Sequence, residues 1–212
     1  MLVLGDAHAN EPDRRRALLA AYDASPSSTA IQLGDLMYYD LPKPTWFIAG
    51  NNEDLDVIEA LRDGETPPAV RNANLLHSTT VDLQGVRVAG LSGNYAPTQY
   101  QKDRQHLQGD RRRHFVRNDV RRAKRLTDVD VLLTHEAPNG LLQYEHYDPG
   151  CDQVDELLDA LDPDLCLVGH HHEHLEMTYG STRVVGLDAA WRSYYELDAT
   201  DLTLERHETP DV

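Results

Sequence analysis

The sequence predicts a single α/β domain in which two β regions stack on each other with helices outside them. Strand-like runs alternate with helical stretches in the first part of the chain, short strands follow one another near its end, and 212 residues suit one core. We expect the first region to be largely parallel and the second antiparallel. We also expect residues 1–212 to form one unit without an internal repeat.

The N-terminal elements follow from apolar runs and from apolar residues three and four positions apart. In order, they are strand 1–4, helix 13–22, strand 30–33, strand 46–49 and helix 54–61. This alternation is typical of βαβ units.

The middle of the chain changes to paired strands. Gln84-Gly85 is a two-residue hairpin signal between strands 79–83 and 86–91. A basic loop and helix over about residues 96–126 form an insertion before the buried-strand pattern returns. The remaining predicted elements are helix 116–126, strands 131–133 and 165–168 with a helix between them, and strands 175–179, 183–187, 194–197 and 202–206.

The composition is strongly acidic. The chain has 36 acidic and 20 basic side chains, a net charge of −16, and only three lysines. Such a surface is similar to that of halophilic proteins, because salt screens self-repulsion; an ordinary acidic soluble protein is the alternative. Two cysteines, Cys151 and Cys166, are too few for a disulfide framework, so we interpret both as structural thiols. No apolar run approaches the ~18 residues of a membrane span, so we expect a cytoplasmic protein without a membrane partner.

Five short polar segments each follow an apolar, strand-like run. They are Gly5-Asp6-Ala7-His8, Gly34-Asp35, Gly50-Asn51-Asn52-Glu53, Thr134-His135 and Gly169-His170-His171-His172. Because the carboxyl ends of parallel strands meet at one edge, we expect these segments to converge. Seven side chains there suit two divalent cations.

The spacing within these segments suits metal binding. In extended backbone, residues i and i+2 point the same way, so Asp6 and His8 can hold one ion, as can His170 and His172. A carboxylate such as Asp35 is a natural bridge between two cations ~3.5 to 4 Å apart.

These residues resemble the calcineurin-like metallophosphoesterases, whose motifs are Asp-x-His, Gly-Asp, Gly-Asn-His-Asp/Glu, His and Gly-His-x-His. The resemblance covers almost the whole chain and implies a four-layer α/β/β/α sandwich of two stacked mixed sheets. It implies two divalent metal ions, which we expect to be manganese, although iron, zinc, nickel and cobalt accept the same ligands. The implied ligands are Asp6, His8, Asp35 and His172 for one metal, and Asp35, Asn51, His135 and His170 for the other.

One residue departs from the family pattern. Where the family usually has a histidine that protonates the leaving oxygen, this chain has Asn52, and an amide is not a general acid. Losing such a group typically costs about 10²–10⁴-fold in rate. We expect Asn52 to hydrogen-bond a phosphate oxygen instead. The proton can come from water on the metal or from a loop histidine, for which the candidates are His106, His114, His146 and His174.

Residues 85–138 carry a narrower resemblance, to the RNA lariat debranching enzymes. Those enzymes have a similar Gly-Val-Arg-Ile-Gly-Gly-Ile-Ser-Gly strand, then a stretch with tyrosine and arginine, then a Leu-Ser-His-Asp-x-Pro turn. The resemblance implies a 2′,5′-phosphodiester or another nucleic-acid substrate. Those enzymes generally keep the histidine that Asn52 replaces, and they have cysteine where this chain has Asp6.

Residues 100–125 are basic, with ten Lys or Arg against three Asp, a local charge of +7. Arginine forks suit phosphate oxygens, and aromatic rings can stack on a base. The alternative is a solvated helix face or a subunit contact formed by Arg117, Arg121 and Arg125. The candidate substrate contacts are Asn52, Asn94, Tyr95, Tyr100, Arg111, Arg112 and Arg113.

The sequence therefore predicts a two-metal phosphodiesterase that acts on a nucleotide or nucleic acid such as RNA by metal-activated hydroxide attack. Its catalytic set is Asp35, Asn51, Asn52 and His135. The alternatives are a phosphomonoesterase or nucleotide phosphatase, and a metal-binding RNA-interaction module that has lost catalysis. The oligomeric state is left open.

Overall fold

The computed structural model describes residues 1–142 and 147–211 and contains two six-stranded β-sheets packed face to face. Helices cover both outer faces of this pair. The result is the four-layer α/β/β/α sandwich that the resemblance implied, so the predicted fold class is confirmed.

The first sheet combines strands from the two ends of the chain. Its members are β1 (Leu2–Leu4), β2 (Ala30–Gln32), β3 (Asp40–Phe47), β4 (Arg71–Leu75), β11 (Ser193–Leu197) and β12 (Leu204–Glu208). The order is β12-β11-β1-β2-β3-β4. Strands β1 to β4 are parallel, whereas β11 is antiparallel to both β1 and β12.

The second sheet contains the middle of the chain. Its members are β5 (Thr79–Leu83), β6 (Val86–Leu91), β7 (Val131–Thr134), β8 (Leu165–Val168), β9 (Leu175–Tyr179) and β10 (Thr182–Gly186). The order is β5-β6-β7-β8-β10-β9, with four parallel strands between two antiparallel edge strands. Gln84 and Gly85 both have positive φ, 54° and 88°, as a tight hairpin turn requires.

The helices are α1 (Pro12–Ala24), α2 (Leu55–Arg62), α3 (Pro97–Tyr100), α4 (Arg117–Ala123) and α5 (Asp152–Leu161). Two 3₁₀ turns, Arg104–His106 and Gly109–Arg113, lie between α3 and α4. Asp54 caps α2 by accepting hydrogen bonds from the backbone N–H groups of Asp56 and Val57. Within residues 1–142 and 147–211, no helix is long and apolar enough to cross a membrane.

Side-chain alternation along the strands builds three apolar layers. Leu2 and Leu4 face α1, whereas Val3 between them faces the second sheet. In β7, Leu132 faces the outer helices α4 and α5 and its two neighbours face the first sheet. Cys151 and Cys166 are both free and buried, as expected, and burial raises the pKa of each thiol to about 12.

The expected separation into one parallel and one antiparallel region is wrong, because each sheet is mixed. The C-terminal strands divide: β9 and β10 extend the second sheet, and β11 and β12 extend the first. Strand β4 was not predicted, since its Arg71-Asn72-Ala73-Asn74-Leu75 sequence is mostly polar, as an exposed edge strand allows.

A buried polar cluster connects the start of α4 to the second sheet. Nε2 of His77 lies 3.2 Å from Oδ1 of Asp119, and Oδ2 of Asp119 accepts a hydrogen bond of 2.7 Å from Arg104. Burial lowers the pKa of His77 to about 4. The positive charges of Arg62 and Arg104 also lower this pKa, whereas the hydrogen bond to Asp119 and its negative charge raise it. Burial raises the pKa of Asp119, but its hydrogen bonds to His77 and Arg104 and their charges lower it more. His77 is therefore neutral at pH 7.

Protonation of His77 should weaken the fold as the pH falls. Between its pKa of about 4 in the folded chain and 6.5 for an ordinary histidine, the unfolded chain binds more protons. This residue should therefore lower the free energy of unfolding by roughly 3 kcal/mol between those two pH values. Urea unfolding across this range should show a smaller decrease for His77→Asn than for the parent. His106→Asn, at a side chain that is 65% exposed, is the control, and equal slopes for all three proteins would contradict the prediction.

Candidate metal centre

The polar segments of five strands converge at one end of the sandwich. Three follow β1, β2 and β3 of the first sheet, and two follow β7 and β8 of the second. The donor atoms of Asp6, His8 and His172 lie within 4.8 Å of one another, as do those of Asp6, Asp35 and His135. The structure thus places these five side chains at one site, and it brings Asn51 and His170 into contact with them.

The carboxylate of Asp35 lies between two histidines. Its Oδ2 is 3.4 Å from Nε2 of His8, and its Oδ1 is 3.6 Å from Nε2 of His135. Its backbone carbonyl also accepts a hydrogen bond of 2.6 Å from the N–H of His8, which joins the loops after β1 and β2. Each oxygen of Asp35 therefore faces a different histidine, as a carboxylate that bridges two cations must.

Asp6 joins the first sheet to the loop after β8. It is 1% exposed, its Oδ2 is 3.0 Å from Nε2 of His172, and its Oδ1 accepts a hydrogen bond of 2.8 Å from the N–H of His170. A buried carboxylate needs such partners, because burial without them disfavours its charge.

The buried ring of His135 is held in a form that suits metal binding. Its Nδ1 donates a hydrogen bond of 2.9 Å to the carbonyl oxygen of Leu33, so the lone pair of the neutral ring is on Nε2. That Nε2 lies 3.0 Å from Oδ1 of Asn51, which is also an acceptor. Acceptors that face each other need a cation or a proton between them. The donor set therefore fits a divalent cation on chemical grounds.

The carboxylates and imidazoles of the site shift each other's protonation. Burial raises the pKa of Asp6, but His135 and His172 lower it more. Burial lowers the pKa of His135, but Asp6 and Asp35 raise it more. Burial lowers the pKa of His8 and of His170 and is the larger effect at both. These two rings therefore favour the neutral form that metals bind.

The backbone of the site is turned, contrary to the extended geometry expected for its i, i+2 pairs. His8, Asp35, His170 and His172 have φ of 45°, 50°, 71° and 56°, in the left-handed region. Such conformations are costly for residues other than glycine and are often found at functional sites. The side chains are thus aimed at one point by sharp loops and not by strand pleating.

Gly50 leaves room for the site. A Cβ at this position would overlap Oδ1 of Asp35 and would lie 2.6 Å from Cε1 of His135. The glycine before Asn51 is therefore required by a close approach and is not an ordinary strand-end residue.

Asn52 contacts Asp35 in this structure. Its backbone N–H donates to Oδ1 and its side-chain amide donates to Oδ2, both at 2.7 Å. We expected Asn52 to hydrogen-bond a phosphate oxygen. The observed contacts instead hold the carboxylate of Asp35 in position from the side of β3.

Two supporting residues were not singled out by sequence reasoning. Glu53 accepts hydrogen bonds of 3.1, 3.1 and 3.2 Å from the N–H groups of Leu36, Met37 and Gly50, and burial raises its pKa to about 7. The acidic residue at the fourth position of the Gly-Asn-Asn-Glu segment is the sequence signal that could have identified Glu53. Trp191 packs 5.7 Å from the His8 ring and 5.2 Å from the His172 ring, and a lone tryptophan far along the chain gives no signal.

The basic insertion reaches the site through one arginine. Arg113 donates a hydrogen bond of 3.4 Å to the carbonyl oxygen of Asn51. Arg112 instead pairs with Asp56 at 2.8 Å, and Arg111 is exposed. Of the arginines predicted to contact substrate, only Arg113 touches the site within the described part of the chain.

The aromatic candidates pack into the protein. Tyr100 is 9% exposed, with its ring 5.4 Å from that of Tyr95 and 6.2 Å from that of Phe115. This packing argues against the expected role of Tyr100 in stacking on a base, because the ring belongs to the core layer under α4. The backbone of Asn94 pairs with His114, and its side-chain oxygen is buried.

The candidate proton donors differ in position. His114 follows Arg113 and lies 3.3 Å from the carbonyl oxygen of Asn94, and burial lowers its pKa. His106 is exposed beside Asp103, and His174 stacks on Tyr195. His146 lies outside the described residues. His114 is thus the candidate whose segment contacts the site.

Comparison with known proteins agrees with this geometry. Residues 1–174 match the calcineurin-like phosphoesterase family, and the chain belongs to that family. The family generally uses a binuclear divalent metal centre, for which this chain provides candidate ligand groups.

Individual relatives are more distant. The chain is 28% identical over 171 residues to the lariat debranching enzyme of Schizosaccharomyces pombe, which is 66% of this chain and 36% of that protein. A crystal structure of a Thermus thermophilus protein superposes with a TM-score of 0.69 at 18% identity, over 99% of this chain and 98% of that one. A putative 5′-nucleotidase from Staphylococcus aureus gives a TM-score of 0.53 at 14% identity, over 100% of this chain and 54% of that one. These structures share the fold.

Replacing the carboxyl group of Glu53 with an amide should weaken metal binding without removing a proposed ligand. Glu53→Gln replaces an acceptor of three backbone hydrogen bonds with an amide, so the loops that carry Asp35 and Asn51 loosen. Loss of such a supporting contact typically lowers metal affinity about 10–100-fold. Titration calorimetry with Mn²⁺ measures the change, and Glu65→Gln, at an exposed residue, is the matched control. Equal affinities in the two variants would contradict this role.

Proposed function

We propose that the protein is a phosphodiesterase that uses two divalent metal ions to hydrolyse a phosphodiester of a nucleotide or nucleic acid. The position of Asp35 carries this proposal, since its two oxygens face His8 and His135 at 3.4 and 3.6 Å. A carboxylate between two imidazole-containing donor groups is the arrangement that a pair of cations requires. Manganese is our expected metal, and iron, zinc, nickel and cobalt suit the same oxygen and nitrogen donors.

Seven residues would hold the two ions and share one carboxylate. Asp6, His8 and His172 serve one ion, Asn51, His135 and His170 serve the other, and Asp35 serves both. Bound cations would supply Lewis acidity toward the phosphoryl oxygens and a nucleophile at neutral pH.

The chain's own residues orient this donor set. Asn52 donates to both oxygens of Asp35 and keeps the carboxylate plane fixed. The hydrogen bond from His135 to Leu33 fixes the ring tautomer. Arg113 lies against Asn51, where its cation can attract a phosphate group.

The lack of an acid at Asn52 limits the leaving groups that the site can expel. An amide has no proton to give at neutral pH, so a poor leaving group depends on another donor. His114 is the candidate for that donor, because it is next to Arg113, which contacts Asn51. Burial lowers the pKa of His114, so its ring is mostly unprotonated at neutral pH. Esters with good leaving groups should therefore react fastest.

The substrate class is proposed from two features. The relative from Schizosaccharomyces pombe is named a lariat debranching enzyme, and the chain spans about a third of its length, 36%. The basic residues at 100–125 provide a local charge of +7 in a chain whose net charge is −16. Both features favour a nucleic-acid phosphodiester such as a 2′,5′ linkage of RNA.

Loss of a proposed ligand should remove activity. Asp35→Asn and His135→Ala should each lower turnover of bis-nitrophenyl phosphate by about 10²-fold or more, because Asp35 would serve both ions and His135 would serve one of them. Asp82→Asn, at an aspartate that is 71% exposed, is the control and should keep the parent's rate. Turnover assays with metal added in excess measure the effect. Full activity of either ligand variant would overturn the proposed site.

A substrate panel separates the rival functions. The phosphodiesterase should hydrolyse bis-nitrophenyl phosphate faster than the mono-nitrophenyl ester. A preference for the monoester would instead identify a phosphomonoesterase or nucleotide phosphatase. Metal uptake without turnover of any ester would identify a metal-binding module that has lost catalysis. Cleavage of 2′,5′-linked but not 3′,5′-linked oligonucleotides would assign the debranching reaction.

A further inference from the structure

A polar cleft lies beside α4, on the side of the second sheet that faces away from the first. Its volume is about 540 Å³, and its walls come from α3, α4, the turn after α4, and α5. We call it the α4 cleft. Its cationic lining residues are Arg117, Arg121, Lys124 and Arg125, and one acid, Glu156, lies at its edge.

Most of the positive charge in this cleft is not neutralised. Lys124 pairs with Glu156 at 3.2 Å, and Arg117 contacts the neutral amide of Gln101 at 3.4 Å. Arg121 and Arg125 are exposed, and neither has a carboxylate within 4.0 Å among residues 1–142 and 147–211.

These arginines lie close together without carboxylate partners in an acid-rich chain. The chain has 36 acidic against 20 basic residues, so carboxylates are available to pair with surface arginines. Several arginines elsewhere do so, at Arg14, Arg16, Arg71, Arg87, Arg104, Arg112 and Arg183. Keeping three neighbouring guanidinium groups free of carboxylates costs repulsion energy, which an external anion would offset.

The arginines of the cleft continue a regular sequence spacing that starts beside the metal centre. Arg113, Arg117, Arg121 and Arg125 recur every four residues. Within α4 this spacing puts Arg117 and Arg121 on one face, about 6 Å apart along the axis. Arg113 ends the 3₁₀ turn before α4 and contacts the carbonyl oxygen of Asn51, so the first arginine of the series lies beside a proposed metal ligand.

We propose that the α4 cleft binds the backbone phosphates of the single strand that flanks the scissile diester. This inference rests on the proposed phosphodiesterase function and adds a second phosphate site to it. Guanidinium forks bind phosphate oxygens in pairs, and the separation of about 6 Å is comparable to that of successive phosphates in an extended strand. The site would favour oligonucleotides over mononucleotides.

An acidic protein surface fits the cleft less well. A protein interface usually has an apolar centre, but Val120 and Tyr100, the apolar lining residues, are 1% and 9% exposed. The only exposed large hydrophobic side chain in the described part of the chain is Tyr147, which does not line the cleft. The cleft therefore offers charge and hydrogen-bond donors, which suit a phosphate backbone.

A binding assay without catalysis tests the cleft. Fluorescence anisotropy in EDTA measures binding of a labelled, short single-stranded oligoribonucleotide to the full chain. The double variant Arg121→Ala/Arg125→Ala should bind about tenfold more weakly at low salt, and its slope of log affinity against log salt should be smaller by roughly 1.4, for two lost phosphate contacts. Arg71→Ala/Arg183→Ala removes the same charge at two arginines that have carboxylate partners and should bind as the parent does.

Several outcomes would overturn the inference. One is equal affinity and salt slope in the two double variants. Another is competition by inorganic phosphate as effective as that by the oligonucleotide, which would assign a small-anion site. A third is a parent dimer in sedimentation that the Arg121→Ala/Arg125→Ala variant loses, which would assign a protein interface.

These experiments distinguish a failure of the proposed phosphodiesterase function from a failure of the proposed phosphate site. Turnover of bis-nitrophenyl phosphate should be the same in the parent and in both double variants, because that ester does not reach α4. A parent that hydrolyses no diester, yet binds the oligonucleotide through Arg121 and Arg125, would refute the proposed function and keep the phosphate site.

Discussion

The contact between the two sheets at their carboxyl ends is the constraint on which the site depends. The hydrogen bonds that cross there include those from His135 to the carbonyl oxygen of Leu33 at 2.9 Å, from the N–H of His170 to Asp6 at 2.8 Å, and from the N–H of Gly93 to the carbonyl oxygen of Ala49 at 2.6 Å. The apolar layer between the sheets fixes their separation, and these polar bonds fix their alignment. A slip of one sheet by a residue would separate the donors of His135, His170 and His172 from those of Asp6 and Asp35.

Because two carboxylates are buried at the contact between the sheets, that contact depends on positive charge nearby. Asp6 and Asp35 are each 1% exposed, and two buried carboxylates repel each other unless cations or protonated rings lie nearby. The raised pKa of His135 and the lowered pKa of Asp6 are the response of the protein alone. Divalent cations would meet the same electrostatic need with more charge, and would leave the imidazoles neutral. The burial and mutual repulsion of the two carboxylates destabilise the site without cations and thus favour metal uptake.

The sequence predicted which polar side chains lie together better than it predicted the sheets. Polar segments after apolar runs are local signals, and for β1, β2, β7 and β8 they gave both the strand and the side chains that follow it. The division of the C-terminal strands between two sheets depends on which edge each strand meets, and no local pattern encodes that. For the same reason Trp191, which supports His8 from far along the chain, gave no signal. The sharp left-handed turn at His170 was also missed, because side-chain spacing alone suggests an extended strand.

The separation of Arg121 and Arg125 from Arg113 divides substrate recognition from catalysis. Arg113 contacts the metal centre, whereas Arg121 and Arg125 lie further along the chain, in a cleft with few neutralising acids. A small ester can occupy the centre without touching that cleft, so the two contribute to different parts of the reaction. Phosphate contacts far from the scissile bond add binding energy only for long substrates. In an otherwise acidic chain, repulsion from the remaining surface would keep a polyanion away except at these arginines, which makes their position, more than their number, the basis of selectivity.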